Sequence, residues 1–232
     1  MRLLPRANIL TAPTSVPTAA PVFATAARES PETNSTPLKR SAYIPTQPDL
    51  PGITGLLEYR LDTGKPIREL TQILLRGPST LTQGERELIA TLVSSRNACR
   101  FCTTAHTAAA ELLLGETATV EAVKLDPETA PVSEKMKALL RIAGKVQENG
   151  RLVTDEDVAA ARAEGASDME IHDTVLIAAL FCLYNRYVDG LAAVTPEDPQ
   201  FYRTLGERIV NRGYLRPEGG FPPPPQISNS GG

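Results

Sequence analysis

Ten consecutive residues, from Asn97 to His106, read NACRFCTTAH and hold most of the reactive side chains of this chain. They include two of the three cysteines, Cys99 and Cys102, and one of the two histidines, His106. A thiol becomes a nucleophile when it loses its proton, and an imidazole can accept that proton. Cysteine and histidine are also preferred zinc ligands. The stretch therefore indicates a redox pair, a metal site or plain core packing.

The spacing of these side chains favours the redox pair. We expect Asn97 to cap the start of a helix, because asparagine is a preferred residue at that position. Cys99 and Cys102 would then lie in its first turns, with Cβ atoms about 5–6 Å apart on one face. His106 follows on the same face. The helix dipole favours a thiolate there, and a modest adjustment would bring the two sulfurs within disulfide distance.

Two alternatives stay open at this point. A structural zinc site built on Cys99, Cys102 and His106 needs a fourth ligand, and the chain offers only Cys182 and His172 besides carboxylates. In the other alternative, the pair and the histidine are inert core residues. Cys182 lies in an apolar run that predicts a buried, unreactive thiol.

Composition excludes several classes of partner. The formal net charge is −3 with a pI near 5.6, and tryptophan is absent, so we expect no nucleic-acid partner. Neither GxGxxG nor GxxxxGK[ST] occurs, so no nucleotide-phosphate loop is predicted. Three cysteines are too few for a disulfide-stapled scaffold. No apolar stretch is long enough to span a bilayer, so we expect a soluble protein with no membrane partner.

The two ends of the chain differ from its middle. Residues 1–51 are rich in Pro, Ala and Thr, carry nine prolines and show no helical or strand period, which predicts a disordered arm. No acidic residue precedes Glu29, so the arm is alternatively a targeting segment. We expect a cytoplasmic protein, or an organellar or exported one in that alternative. Residues 216–232 form a Pro-rich tail, which leaves 52–215 as the folded domain.

The middle of the chain shows almost only helical signals. Apolar residues recur at helical spacing between short gaps, and no convincing alternation of apolar and polar residues predicts a strand. The fold class is therefore all-α, with seven to eight helices. They are expected in KPIRELTQILLRG, in LTQGERELIATLVSSR, over 98–114, 117–125 and 133–149, after Thr154, after Ser167, and over about 198–214.

A longer stretch, ERELIATLVSSRNACRFCTTAH, adds Glu87 twelve residues before Cys99. A glutamate at this distance from Cys-x-x-Cys, with histidine four residues after the second cysteine, resembles the carboxymuconolactone decarboxylase superfamily. Within it, the pattern is similar to the alkylhydroperoxidase-D-like, peroxidase-related branch. EIHDTVLIAALFCLYNRYVDGL resembles the long C-terminal helix of those proteins. The resemblance covers about 52–195.

The resemblance implies an all-helical protein that assembles as a homotrimer or homohexamer. It also implies a thiol peroxidase or disulfide oxidoreductase that acts on hydroperoxides without metal, haem or other cofactor. Cys102 would be the peroxidatic cysteine, and Cys99 would resolve it to a redox-active Cys99–Cys102 disulfide. A dithiol protein or a small thiol would reduce that disulfide. His106 and Glu87 would relay protons, His106 for Cys102 and Glu87 for Cys99.

One residue departs from the family pattern. A subset of these proteins has a second histidine between the cysteines, where this chain has Phe101. Other functions therefore stay in view, namely a non-catalytic or zinc-binding helical oligomer, or a superfamily member that acts on another small molecule. Asn185, Arg186 and Asp189 either line the pocket or a subunit interface, or form a polar helix face with an Arg–Asp pair.

Overall fold

The computed structural model describes residues 42–221, and within that range it contains nine α-helices, one short 3₁₀ turn and no strand. The predicted all-α fold is confirmed for this range. The helices are α1 Gly52–Tyr59, α2 Leu61–Arg76, α3 Gln83–Arg96, α4 Arg100–Leu114, α5 Ala118–Leu125, α6 Glu134–Asn149, α7 Asp155–Ala163, α8 Asp168–Gly190 and α9 Pro199–Arg212, with the 3₁₀ turn at Gly150–Leu152. Helix α1 is the one that the sequence patterns did not predict.

The predicted end segments overlap only partly with this range. Most of the arm 1–51 and most of the tail 216–232 lie outside the described residues, so their assignments stay predictions. Residues 42–51 contact the helical domain: the Tyr43 amide donates to the Leu191 carbonyl at 2.9 Å, and the Leu50 side chain is buried. None of the helices in 42–221 combines the length and apolarity needed to cross a membrane.

Side-chain caps set the starts of most helices. The Ser167 hydroxyl accepts a hydrogen bond from the Glu170 amide, and the Glu170 carboxylate accepts one from the Ser167 amide. This capping box satisfies amides that the first turn of α8 leaves without a partner. Thr82 begins α3 and Thr154 begins α7 in the same way, while Ser133 caps α6. The predicted starts at Ser133, Thr154 and Ser167 are confirmed.

Helix α3 is the centre of the domain. It packs against α4, α6 and α8, while α9 packs along the other side of α4. Because α3 is covered on nearly every side, ten of its fourteen residues are buried, including the charged Arg86 and Glu87. The largest fully buried side chains come mainly from α1, α2, α3, α6 and α8: Leu56, Leu75, Leu88, Ile89, Leu92, Leu139, Leu140, Ile142 and Phe181.

Helix α9 lies unusually close to α4. A Cβ atom at Gly206 would lie only 3.0 Å from the Ala108 Cβ atom and 3.1 Å from its carbonyl carbon, so a larger residue would force the helices apart. This contact holds α9, and the segment that follows it, beside the helix that carries Cys102 and His106.

The corner between α3 and α4 differs from the prediction. Asn97 does not cap α4; it ends α3, where its amide donates to the Val93 carbonyl at 3.0 Å. Ala98 then adopts a left-handed conformation with φ of 55°, and Cys99 becomes the N-cap of α4. The prediction was wrong because α3 runs through Ser94 and Ser95, and a single left-handed residue turns the chain.

Ala98 tests this account of the corner. Its side chain is exposed, so Ala98→Gly loses no packing and removes the steric penalty of a left-handed alanine. We expect the free energy of unfolding to rise by up to about 1 kcal/mol. The matched control is Ala179→Gly, at an exposed position inside α8, which we expect to lower it by about 1 kcal/mol. Urea denaturation measures both, and equal losses would contradict the strained corner.

Candidate active site

A buried carboxylate, Glu87 of α3, organises the site. Its side chain has no exposed surface and accepts three hydrogen bonds. Its Oε2 atom lies 2.7 Å from His106 Nδ1 of α4. Its Oε1 atom accepts from Arg76 Nη2 of α2 at 2.6 Å and from the Tyr214 hydroxyl, just beyond α9, at 2.5 Å. One carboxylate thus joins four separate segments of the chain.

The partners of Glu87 keep it ionised. Burial acts to raise the pKa of this carboxyl, but His106, Arg76 and the Tyr214 hydroxyl together hold the pKa below its ordinary value of 4.5. Burial and the adjacent carboxylate raise the pKa of Tyr214 well above its ordinary value. Tyr214 therefore stays a hydrogen-bond donor to Glu87.

This charge state fixes the tautomer of His106. An ionised carboxylate only accepts hydrogen bonds, so the proton between the two groups belongs to His106 Nδ1. In the neutral ring, Nε2 is then unprotonated and able to accept a proton. The ring is held by an edge contact to Phe181, with centroids 4.5 Å apart, and stacks on Tyr214 at 6.1 Å. These contacts fix the orientation of the imidazole ring.

The cysteine pair lies beside a small cavity. Cys102 and His106 both line a cavity of about 40 Å³, which exceeds the space that one water molecule requires. Cys99 is fully buried and does not line it. All three cysteines of the chain are free thiols. A small molecule that enters the cavity therefore meets Cys102 before Cys99.

The Cys102 thiol is protonated in this arrangement. Hydrogen bonding with Cys99 is the largest of the effects that raise the pKa of Cys102 far above its ordinary value, followed by burial. A hydrogen bond with Asn185 of α8 acts in the opposite direction. Cys102 consequently needs a base before it can act as a nucleophile.

Phe101 forms part of the apolar wall. Its ring is 2% exposed, contacts Phe201 and Tyr202 of α9, and lines the cavity. Gly52, at the start of α1, permits this packing, because a Cβ atom there would lie 2.3 Å from the Phe101 ring. In place of a second histidine, this chain has a side chain that closes the cavity between α4, α9 and α1.

The other polar residues considered from the sequence do not line the cavity. Asn185 is buried, donates to Ser94 Oγ at 3.1 Å and is hydrogen-bonded with Cys102. His172 is exposed on α8 and contacts Asp173. Cys182 is half-buried, with its Sγ atom 3.6 Å from Asn97 Nδ2. No ion pair joins Arg186 to Asp189 among the contacts within residues 42–221.

The donor set does not favour zinc. In the part of the chain that the structure describes, no three His, Cys, Asp or Glu side chains converge in a way that would hold a metal ion. The predicted residues instead form two neighbouring pairs, Glu87 with His106 and Cys99 with Cys102. The zinc alternative therefore lacks a ligand set within residues 42–221.

Comparison with known proteins bears on the same residues. Residues 62–143 match the model of the carboxymuconolactone decarboxylase family, and this span contains Arg76, Glu87, both site cysteines and His106. Over residues 62–143 the chain is therefore similar to the carboxymuconolactone decarboxylase family. The resemblance inferred from the Glu, Cys-x-x-Cys and His pattern is confirmed. Among curated proteins, none matches the chain in sequence.

Solved structures with a similar fold include two proteins described as peroxidase-related. One is described as an alkylhydroperoxidase AhpD core, an uncharacterized peroxidase-related protein from Ralstonia eutropha JMP134; it is 27% identical, with a TM-score of 0.61, over 67% of this chain and 80% of its own. An uncharacterized peroxidase-related protein from Silicibacter sp. TM1040 is 26% identical, with a TM-score of 0.59, over 64% and 78%. A protein of unknown function from Agrobacterium tumefaciens, described as a putative antioxidant defence protein AhpD, shares the fold at 22% identity and a TM-score of 0.53, over 62% and 97%.

Two hydrogen-bond partners of Glu87, Arg76 and Tyr214, were not predicted from the sequence. Arg76 precedes Glu87 by 11 positions and Tyr214 follows it by 127. Neither belongs to a motif, and each reaches Glu87 only through the packing of α2 and α9 around α3 and α4. A buried glutamate on a predicted core helix is the one signal that such partners must exist, because a buried charge needs them.

The Arg76–Glu87 pair gives a pH-dependent prediction. Arg76→Met leaves a buried carboxylate without its cation, and we expect the free energy of unfolding at neutral pH to fall by about 3 kcal/mol. Because the folded-state pKa of Glu87 lies below 4.5, its ionisation stabilises the fold above that pH, and this contribution is lost as the pH falls through the folded pKa. Arg76→Met has less of this contribution to lose than wild type. The difference in the free energy of unfolding between the two proteins therefore becomes smaller as the pH falls.

Arg141→Met is the matched control, since it removes the same type of side chain from an exposed pair with Glu128. We expect a loss of less than about 1 kcal/mol for it. Urea unfolding at several pH values measures both variants. A gap between wild type and Arg76→Met that stays constant across the pH range would show that Glu87 is not the charge that Arg76 stabilises.

Proposed function

We propose that this protein is a thiol peroxidase that reduces hydroperoxides through Cys102 and Cys99. The observation that carries the proposal is that Cys102 and His106 line one small cavity, with Glu87 hydrogen-bonded to the far side of the imidazole. Cys99 is next to Cys102 but outside the cavity. This arrangement supports roles for Cys102 as nucleophile, His106 as base and Cys99 as second thiol.

The first step is transfer of the Cys102 proton to His106 Nε2, either directly or through a water molecule in the cavity. The thiolate then attacks the terminal oxygen of the hydroperoxide, and the O–O bond breaks. Sulfur gains an oxygen and becomes a sulfenic acid, while the alkoxide takes the proton from the imidazolium and leaves as an alcohol. Glu87 stabilises the imidazolium that forms in between, because it lies 2.7 Å from Nδ1.

The second step joins the two sulfurs. The Cys99 thiol attacks the sulfenic sulfur of Cys102, its proton goes to the departing hydroxyl, and water leaves as the disulfide forms. A dithiol then reduces the disulfide by thiol–disulfide exchange and becomes oxidised itself. Because Cys99 and Cys102 are both buried, this reductant must be a slender group, or the corner around Ala98 must open.

The comparisons support an activity of this class. The match to the carboxymuconolactone decarboxylase family covers Glu87 and the whole Cys-x-x-Cys-x-x-x-His segment, and two similar structures are described as peroxidase-related. Four further points stay predictions: the Cys99–Cys102 disulfide as the redox group, the thiol reductant, the trimeric or hexameric assembly and the cytoplasmic location.

The cysteine roles are tested by three single substitutions. We expect Cys102→Ser to abolish hydroperoxide-dependent oxidation of a dithiol such as dithiothreitol, because it removes the nucleophile. Cys99→Ser should react once and stop, leaving a sulfenic acid on Cys102 that dimedone traps. Cys182→Ser is the matched control, because this thiol lies outside the cavity, and it should retain wild-type turnover.

Mass spectrometry after one equivalent of cumene hydroperoxide identifies the products. Wild type should lose two hydrogens to a Cys99–Cys102 disulfide, and Cys99→Ser should gain one oxygen at Cys102. Full turnover in both Cys102→Ser and Cys99→Ser would exclude the proposed function.

His106 is tested through the pH dependence of the first step. We expect His106→Gln to slow sulfenate formation at neutral pH by about a hundredfold, because the high pKa of Cys102 leaves almost no thiolate without a base. Raising the pH should restore part of the rate, since hydroxide then removes the proton. Single-turnover stopped-flow measurements give both values. His172→Gln, at an exposed histidine, is the control, and an equal loss there would refute a specific role for His106.

A further inference from the structure

The cavity of Cys102 and His106 contains two arginines that the peroxidase chemistry does not use. Arg68 of α2 and Arg208 of α9 both line it, together with apolar side chains such as Ile53, Leu57 and Leu205. A neutral peroxide has no need of two guanidinium groups at its binding site. Their presence therefore calls for a separate explanation.

Arg68 is incompletely paired. Its side chain is 6% exposed, and its Nε atom is buried without a hydrogen-bond partner in the described part of the chain. Its contact with Glu58 Oε1 is long, at 3.5 Å, whereas Glu58 Oε2 accepts a shorter bond of 2.9 Å from Arg216. Buried polar atoms in folded proteins almost always have partners, so an unpaired guanidinium nitrogen in a cavity wall indicates a missing ligand.

Arg208 has no carboxylate partner at all within residues 42–221, since none lies within 4.0 Å of its guanidinium. Burial, followed by the positive charge of Arg68, lowers the pKa of Arg208. The Phe221 ring lies 5.3 Å from Arg208 and 5.2 Å from Arg68, and it is a neutral contact for both.

The charges around the cavity do not balance. Glu87 is neutralised by Arg76 on one side of the site. On the other side, Glu58 is the one carboxylate that contacts Arg68 and Arg216 in the described residues, and Arg208 has none. These three arginines against one glutamate leave an excess of positive charge beside an apolar cavity. This excess of positive charge destabilises the fold when no anion is bound, and it strongly favours the binding of an anion.

We propose that Arg68 and Arg208 form a subsite for the carboxylate of the substrate, so that this protein acts on hydroperoxides that carry a carboxylate group. The identity of the substrate as a hydroperoxide rests on the proposed peroxidase function. The carboxylate subsite does not depend on that function. A guanidinium binds a carboxylate through two parallel hydrogen bonds, and the planar anion suits a narrow cavity. The apolar side chains that line the same cavity suit a short hydrocarbon linker.

Direct binding tests the subsite without any reaction. The full chain with Cys102→Ser is titrated with propionate, with propionamide as its neutral isostere and with inorganic phosphate, and amide chemical shifts are followed by NMR. We expect propionate to bind at least about tenfold more tightly than propionamide, because only the anion brings a negative charge to the guanidinium groups. Equal affinities would overturn the subsite, and tighter binding of phosphate would overturn its assignment to a carboxylate.

Substrate preference tests the link to catalysis. A tertiary alkyl hydroperoxide with a terminal carboxylate is compared with its methyl ester, which carries no charge and has one additional methyl group. We expect wild type to prefer the acid by about tenfold or more in kcat/KM, mostly through KM, and Arg208→Gln to reduce this preference to about twofold or less. Arg203→Gln is the control, because Arg203 is exposed on the same helix and contacts Gln200. It should keep the full preference.

The outcomes separate the two proposals. Equal turnover of acid and ester by wild type would exclude the carboxylate preference and leave the peroxidase function intact. Selective binding of propionate with no turnover of either hydroperoxide would exclude the peroxidase function and leave the subsite. Arg208 is half-buried and lacks a partner carboxylate in the described residues, so its replacement should not unfold the chain; thermal melting of Arg208→Gln checks this, and the wild-type propionate titration needs no arginine variant.

Discussion

The fully buried charge of Glu87 is the constraint on which the rest of the site depends. An ionised carboxylate in a protein core is tolerated only when cations and hydrogen-bond donors surround it. Here the donors come from α2, from α4 and from the segment after α9, so the carboxylate on α3 is satisfied only when all four segments are in place. The same contacts give His106 its tautomer. The packing of these four segments therefore also sets the protonation pattern of the His106 ring.

The arginines near the site are of two kinds, those with a closely paired carboxylate and those without one. Arg76 is paired at 2.6 Å with Glu87, and that pair is almost completely shielded from water. Arg68 and Arg208 line the cavity; Arg208 has no carboxylate within 4.0 Å in the described residues, and Arg68 contacts Glu58 only at 3.5 Å. Pairing makes a cation part of the scaffold, because its charge is already neutralised. A cation that is left without a partner keeps its charge available to a ligand, at a cost to stability.

The sequence was informative where the physics is local. Helical periodicity and caps such as Ser133, Thr154 and Ser167 depend on residues a few positions apart, so they predicted most helices and their starts. The Cys-x-x-Cys-x-x-x-His spacing and the resemblance that it carries identified the core of the site. The contact between Tyr214 and Glu87 could not be predicted, because 127 positions separate the two residues and only tertiary packing joins them. The prediction for the turn between α3 and α4 was wrong, because the chain turns at the left-handed residue Ala98 and not at the expected capping residue Asn97.

The protonated state of Cys102 depends on its immediate neighbours and on packing. Hydrogen bonding with Cys99, followed by burial, raises the pKa of Cys102 far above its ordinary value. Phe101 contributes to that burial, because it packs on Gly52 and α9 beside the thiol. Burial also strengthens the hydrogen bond between His106 and Glu87. The surroundings of the pair thus make Cys102 unreactive by itself, so a nucleophilic role for it requires a base.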